Sequence, residues 1–354
     1  MNPLEHALTY PFADTLPLPG TRMEVAPGLY WLRMPLPFAL DHINLWLLRD
    51  TFRGRDGWTV IDCGVATDTL RAHWDTLIER ELEGLPVVRV LCTHTHPDHV
   101  GLARMLTDRF EAPLWMTLGE YAMGRILSVR MPGADPESAC RHYRRNGVPE
   151  GPALEALSQR NGSHFPRLVP QMPLSFRRIG DRETIRIGER DWRVIVGTGH
   201  SPEHAALFCE ADALLISGDM VLPRISTNVS VFDLEPESDP LTWYLGSLRR
   251  FEPCPPGTLV LPSHGRPFRG LHERLAQLHA HHDDRLAVVD AACRERPRHA
   301  AEVVPIMFGR EFDAHQMMFA LGESLAHLHA LWYAGRVSRS VHADGVLRFA
   351  GVGA

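Results

Sequence analysis

Residues 94–99 read His94-Thr95-His96-Pro97-Asp98-His99. They follow the run Val87–Cys92, apolar except for Arg89, which predicts a buried strand. They lead into a helical pattern from about Asp98 to Phe110. His94 and His96 are two apart, so in extended chain both rings point to the same side. Pro97 stands where a helix N-terminus tolerates proline. Asp98 and His99 then fall in the first helical turn and face back toward the strand end. One short turn thus delivers three imidazoles and a carboxylate to one place. Neutral imidazole and carboxylate are ligands of zinc and of divalent iron or manganese.

Working outward, three more strand-like segments end in a ligand type beside a small residue. Gly197-Thr198-Gly199-His200 closes the strand expected over 192–197. Ser217-Gly218-Asp219 closes 213–217, and Ser263-His264-Gly265 closes 258–262. One such residue alone is an ordinary hydrogen-bonded loop residue. Four segments of this kind in sequence order suggest a site where loops converge.

Over about residues 20–270 the sequence resembles the metallo-β-lactamase superfamily, and within it the glyoxalase-II-like hydrolases. The resemblance rests on Asp62 in Val60-Ile61-Asp62-Cys63-Gly64, on His94, His96, Asp98 and His99, on His200, on Asp219 and on His264. It implies an α/β fold, an αββα sandwich with metals at one edge between the sheets. Carried over residue by residue, His94, His96 and His200 would hold one metal, Asp98, His99 and His264 a second, and Asp219 would bridge them. Asp62 would orient ligands from behind. The implied cofactors are two divalent transition metal ions, zinc first, with iron or manganese as alternatives. The antibiotic-hydrolysing members carry Cys where this chain has Asp219, and flavodiiron reductases carry Glu in place of His96, so neither branch is favoured. The expected chemistry is attack of a metal-bridged hydroxide on an ester, thioester or lactone of a small molecule, with Asp98 as the catalytic proton carrier. A phosphodiesterase or ribonuclease, or a mono-iron sulfur-dioxygenase-like enzyme, is the alternative.

Other residues carry weaker signals. His204, four after His200, is expected behind the ligands. Arg224, Ser226 and Asn228 follow Asp219 in a loop that should pass the site, and Tyr244 is a candidate to polarise a substrate carbonyl; Arg224, Asn228 and Tyr244 are the substrate-contact candidates. Arg266 reads as a backbone anchor or an anion contact. His279, His281 and His282 span several faces of a helix and read as surface. Glu323 and His327 read as a structural i,i+4 pair.

Composition bounds the rest. The chain has 354 residues, 44% hydrophobic and 23% charged, with net charge -6. That is ordinary for a globular protein and provides no global field for nucleic acid or anionic membrane. All 37 basic residues are Arg, which excludes lysine-based Schiff-base chemistry. The six Cys show no CxxC spacing and read as reduced core thiols. No apolar run is long enough to span a bilayer, and no basic segment precedes an apolar one near the N-terminus, so a cytoplasmic protein is expected.

The expected layout is an irregular arm over 1–20, a hydrolase domain over 21–270 and a winged-helix-like C-terminal domain over 271–354. Strands at 42–49 and 58–63 should form a hairpin across Asp50–Gly57. An Arg-rich helical insertion, about 119–165, is expected as a lid, with a surface elaboration or a homodimer contact as the alternative; if it is a lid, trimming 125–160 should leave folding largely intact. The helix expected over 313–334 contains no Arg, so nucleic acid is not an expected partner.

Overall fold

The computed structural model describes residues 4–129, 131, 135–152, 154–156, 165–309, 312 and 314–353. Two sheets form its centre. The first runs in spatial order through β1 (Met23–Ala26), β2 (Leu29–Pro35), β3 (His42–Phe52), β4 (Arg55–Ile61), β5 (Val87–Leu91), β6 (Leu114–Met116) and β7 (Arg177–Arg178). In the second, β8 (Thr184–Ile187), β9 (Arg190–Gly197), β10 (His204–Cys209), β11 (Leu214–Gly218) and β12 (Leu259–Pro262) lie side by side in that order.

The pleat explains the layers. Along β3, Leu45 and Leu47 join the cluster that holds Leu70, Trp74 and Leu106 from the helices Asp68–Arg80 and Ala103–Phe110. Trp46 and Leu48 point the other way, to Trp192, Leu207 and Ile216 of the second sheet. The far face of that sheet, through Ile195, Phe208 and Leu215, shares a core with the helices Pro240–Leu248 and Leu271–Glu295. The order is helix, sheet, sheet, helix, as the resemblance implies. Burial on both faces is why residues 42–49 read as nearly unbroken apolar chain and not as an alternation.

Some local expectations change. The β3–β4 hairpin is tighter than expected: Arg53 and Gly54 both have positive φ, 53° and 76°, the geometry of a two-residue turn that follows strand twist. The helix expected from Asp98 to Phe110 is two helices, Pro97–Val100 and Ala103–Phe110. The break falls where the chain crosses the loop after β4: a Cβ on Gly101 would stand 2.7 Å from the Gly64 carbonyl, and the Leu102 N–H donates to that same carbonyl at 3.0 Å. The N-terminal arm is tied down, since Thr9 and Arg269 exchange backbone hydrogen bonds of 3.1 and 2.8 Å.

The insertion begins with the helix Leu118–Ser128, whose Tyr121 ring stacks on Phe176 at 3.9 Å. Its helix Pro136–Arg145 gives Ala139 and Tyr143 to the core shared with the C-terminal helices Ala300–Phe308 and Ala314–Tyr333. The Ala301 N–H also donates to the Asn146 carbonyl at 3.2 Å. Trimming residues 125–160 would therefore open a packed core, which corrects the expectation that folding would survive it. Arg130 and Arg160, counted in the insertion's Arg-rich character, lie outside the described residues. The chain closes with the antiparallel pair β13 (Val337–Val341) and β14 (Leu347–Gly351) around Asp344-Gly345, where Gly345 has φ 78°. Among the described residues no helix is long and apolar enough to cross a membrane.

One buried ion pair joins the sheets. Arg89 Nη2 lies 2.5 Å from Asp50 Oδ2 and also donates to the Arg186 carbonyl at 2.9 Å, while the Gly188 N–H donates to Asp50 Oδ1 at 2.8 Å. Phe52 and Trp115 flank the guanidinium at 4.8 and 4.5 Å. Arg89→Ala would leave the Asp50 carboxylate buried without its partner and should cost about 3–5 kcal/mol in urea unfolding. Replacing both partners by apolar residues, Asp50→Leu with Arg89→Met, removes the unpaired charge but leaves the Gly188 N–H without its acceptor, so it should recover part of that loss, and a double variant as unstable as the single one would refute this account.

Candidate metal centre

The ends of β5, β9, β11 and β12 bring the ligand types to one edge of the sandwich. The short helix Pro97–Val100 follows β5 with proline in its first turn and places Asp98 and His99 beside His94. His94 Nε2 is 2.9 Å from His96 Nδ1 and 3.2 Å from His200 Nε2. Asp219 Oδ2 is 3.5 Å from His200 Nε2 and 3.9 Å from His94 Nε2. The other oxygen, Asp219 Oδ1, is 3.6 Å from His99 Nε2 and 3.5 Å from His264 Nε2. Asp98 Oδ2 lies 3.4 Å from His264 Nε2 and 3.9 Å from His99 Nε2. Two groups result, His94, His96, His200 and Asp219 on one side and Asp98, His99 and His264 on the other, each with ligand atoms within 4.8 Å of one another. His99 Nε2 and Asp219 Oδ1 are buried and have no hydrogen-bond partner among the described residues. Imidazole nitrogens crowded edge to edge around such unpartnered polar atoms suit divalent cations.

Behind the ligands, hydrogen bonds fix which nitrogen faces inward. Asp62 accepts from the Thr93 N–H, the Thr93 hydroxyl and His99 Nδ1–H, each at 2.8 Å. The Thr93 hydroxyl in turn accepts from His94 Nδ1–H at 3.0 Å. His200 Nδ1–H donates to the Asn228 carbonyl and His264 Nδ1–H to the His42 carbonyl, both at 2.7 Å. His204 Nε2 accepts the Asp219 N–H at 3.1 Å, and Gly218, φ 53°, makes room: its Cβ would meet that nitrogen at 2.3 Å. These ties set tautomers and ring directions.

The charges divide the two groups. Burial, with His99 beside it, holds the His94 imidazole well below its ordinary range, and burial with His200 brings His96 down to about 3. Both present neutral nitrogens. Burial also opposes charge on His99 and His264, but the carboxylates outweigh it: Asp62, Asp219 and Asp98 hold His99 well up, and Asp219 and Asp98 raise His264 to about 10. Asp98 is brought down to about 2 against burial by His99 and His264.

The structure does not bring every sequence candidate to the site. Tyr244 is fully buried and its hydroxyl donates to the Met220 carbonyl at 3.0 Å, so it packs beneath the site and has no face for substrate. Arg224 pairs with Glu5 at 3.1 Å. Asn228 holds His200 through its carbonyl while its side-chain oxygen accepts from the Ser230 hydroxyl at 2.8 Å. Arg266 anchors the N-terminal arm through the Ala13 carbonyl at 2.8 Å and Asp14 at 2.6 Å. His282 is not at the surface: it is buried, and its Nδ1–H donates to His327 Nε2 at 3.3 Å. His327 in turn donates to the Glu323 carbonyl at 2.8 Å, so that i,i+4 tie runs to the backbone.

Three supports escaped the sequence reading. Asn44 interrupts the apolar run of β3; buried, it donates to the Pro262 and Gly265 carbonyls at 2.8 and 2.9 Å and accepts from Trp31 Nε1 at 2.8 Å. His42 accepts the Gly265 N–H at 2.7 Å, which with its carbonyl brackets His264. Glu120 is a buried carboxylate in the helix that opens the insertion. A polar residue interrupting a buried apolar run was the available signal for Asn44.

A sequence profile described as metallo-beta-lactamase superfamily matches residues 39–264, and one described as metallo-beta-lactamase-like, C-terminal domain, matches residues 286–352. The crystal structure of a beta-lactamase domain protein from Burkholderia ambifaria is 56% identical, with TM-score 0.93, covering 99% of this chain and 100% of that one. That of a metallo-beta-lactamase family protein from Thermus thermophilus is 29% identical, with TM-score 0.76, covering 93% and 100%. The probable metallo-hydrolase YqjP of Bacillus subtilis is 25% identical over 312 residues, 85% of this chain and 91% of that protein. The chain belongs to the metallo-beta-lactamase superfamily. It is a metal-dependent hydrolase of that fold.

Two outcomes follow from the ties and charges. Asp62→Asn keeps the shape and tolerates the left-handed backbone at this position, φ 61°, but weakens the hold on His99. Metal affinity should fall about 10–100-fold, read by zinc titration of the metal-free variant against wild type. Because His264 stays protonated up to about 10, its Nε2 must lose a proton before it can bind a cation. Metal uptake near neutral pH should release protons, and affinity should strengthen as pH rises and weaken as it falls. Zinc added to metal-free protein in weak buffer with an indicator dye tests this; zinc bound with no proton released would contradict it.

Proposed function

We propose that the chain is a dinuclear metal hydrolase acting on an ester, thioester or lactone of a small molecule. The observation that carries this reading is the orientation of Asp219, one carboxylate oxygen toward His94 and His200 and the other toward His99 and His264. In this reading His94, His96 and His200 would hold one cation and Asp98, His99 and His264 the other, with Asp219 shared between them. Divalent cations in such a site, zinc first with iron or manganese as alternatives, activate water at neutral pH and take up charge developing on a substrate oxygen.

The chain's own residues do the rest. Asp98, the most exposed of the carboxylates at the site with 17% of its side chain open, orients the attacking water, takes up the proton that water loses and passes it to the leaving group. Asp62, His204, His42 and Asn228 hold the ligands so that they do not reorganise during reaction. The kinship to glyoxalase-II-like hydrolases, the division into an arm to residue 20, a hydrolase domain to 270 and a winged-helix-like unit beyond it, a cytoplasmic setting and a homodimer belong to the same proposal. The lone-carboxylate chemistry at position 219, with no Cys there, favours these substrates over β-lactams.

Elemental analysis of purified protein, then a panel of ester, thioester, lactone and phosphodiester substrates, tests the reading. Turnover confined to the phosphodiester would replace it with the nuclease alternative. Asp98→Asn should lower kcat about 10²–10⁴-fold with little change in KM, since proton transfer acts along the reaction path. Asp219→Ala should lower occupancy of both groups; full occupancy in that variant would remove the bridge.

A further inference from the structure

The first turn of the helix Leu118–Ser128 carries Glu120, whose side chain has no exposed surface. Its Oε2 accepts the Thr95 N–H at 2.9 Å. Its Oε1 accepts the Ser201 hydroxyl at 2.6 Å and the Glu203 N–H at 2.8 Å. Thr95 stands between His94 and His96, and Ser201 follows His200. One buried carboxylate therefore ties together the two chain segments that carry the first ligand group.

The tie is reciprocal. Glu203 Oε2 accepts the Gly119 N–H at 2.7 Å, and the Thr117 hydroxyl donates to the Glu203 carbonyl at 2.9 Å. The helix start and the loop after His200 thus cap each other, each satisfying backbone donors the other leaves open. A Cβ on Gly124 would stand 2.5 Å from Thr95 Oγ1, so the helix reaches the 94–96 segment this closely only with glycine there.

All three partners of Glu120 are donors, which suits a carboxylate and works against the burial that pushes its pKa up. The rings of His94 and His200 have their own ties, to the Thr93 hydroxyl and the Asn228 carbonyl. Among the described residues no such tie holds the outer nitrogen of His96, so the aim of that ring depends on the backbone next to it, which Glu120 fixes at Thr95.

We infer that Glu120 is a positioning residue for the first metal group, acting through Thr95 and Ser201 on His96 and His200. This rests on the metal-hydrolase reading above. It also gives the insertion a role at its base: its first helix is part of the frame of the metal centre.

Cobalt(II) is the probe. Metal-free wild-type protein and Glu120→Gln are titrated with it while visible absorption is followed, and the melting midpoints of both metal-free forms are measured. The Gln side chain keeps size and reach but sets an N–H donor against donors. Wild type should take up two equivalents. Glu120→Gln should keep one at wild-type affinity and bind the other about 10–100-fold more weakly, with a changed absorption spectrum. Two equivalents at unchanged affinity and spectrum would overturn the inference, and so would equal weakening of both equivalents. Should Glu120→Gln fail to fold, Ser201→Ala removes one of the three donors. It should weaken the same equivalent to a smaller degree, and an unchanged titration there overturns the inference. Wild type that takes up no cobalt(II) would overturn the metal-hydrolase reading itself, a failure that no Glu120 variant is needed to see.

Discussion

The Asp219 carboxylate is buried among four imidazoles, with His94 and His200 near one oxygen and His99 and His264 near the other. A carboxylate withdrawn from water needs positive charge close by. Here that charge is a proton on His99 and His264, or a cation in its place, and the two compete for the same nitrogen lone pairs. The surrounding polar network follows from this demand. Asp62 turns Nδ1 of His99 outward, the His42 carbonyl does so for His264, and the Asn228 carbonyl for His200, so that each Nε2 faces Asp219.

Such a cluster needs a stiff frame, and the double-faced burial of the sheets supplies it. With Trp46 and Leu48 on one face of β3 and Leu45 and Leu47 on the other, the strand can neither slip nor roll without exposing apolar surface. Asn44 converts that rigidity into position. Besides its side-chain bonds to Pro262 and Gly265, its own N–H donates to the Ser263 carbonyl at 2.7 Å. The loop carrying His264 is therefore held from the opposite sheet. A buried amide with all these partners satisfied specifies one register.

The C-terminal helices reach the same loops from the other side. Arg274, buried on the helix Leu271–Glu295, donates to the Leu222 and Ile225 carbonyls at 2.6 and 2.8 Å and so steadies the chain that leaves Asp219. The Val231 N–H donates to the Gly322 carbonyl at 3.2 Å, the Ser230 hydroxyl to Asn228, and Asn228 in turn accepts from His200. Gly322 has to be small, since a Cβ there would meet the Ser230 side chain at 2.6 Å. The C-terminal part is thereby in hydrogen-bonded continuity with a candidate ligand, His200.

The candidate ligand types were legible in the chain, and the layered fold through its resemblance to a known superfamily. His94 to His99 sit in a strand–turn–helix whose geometry is local, and His200, Asp219 and His264 each end a strand beside Gly or Ser, so residue type and spacing carry the information. Tertiary structure alone decided what stands behind them. Glu120 lies 25 residues from Thr95, Asn44 lies 218 from Pro262, and no spacing rule links such partners. Tyr244 and His282 show the converse, because their chemistry suggested function or exposure while packing had already committed their polar atoms to Met220 and His327. A hydrogen bond across the fold is specified by where two elements dock, and docking depends on the whole apolar surface of each element, which no short stretch of sequence displays.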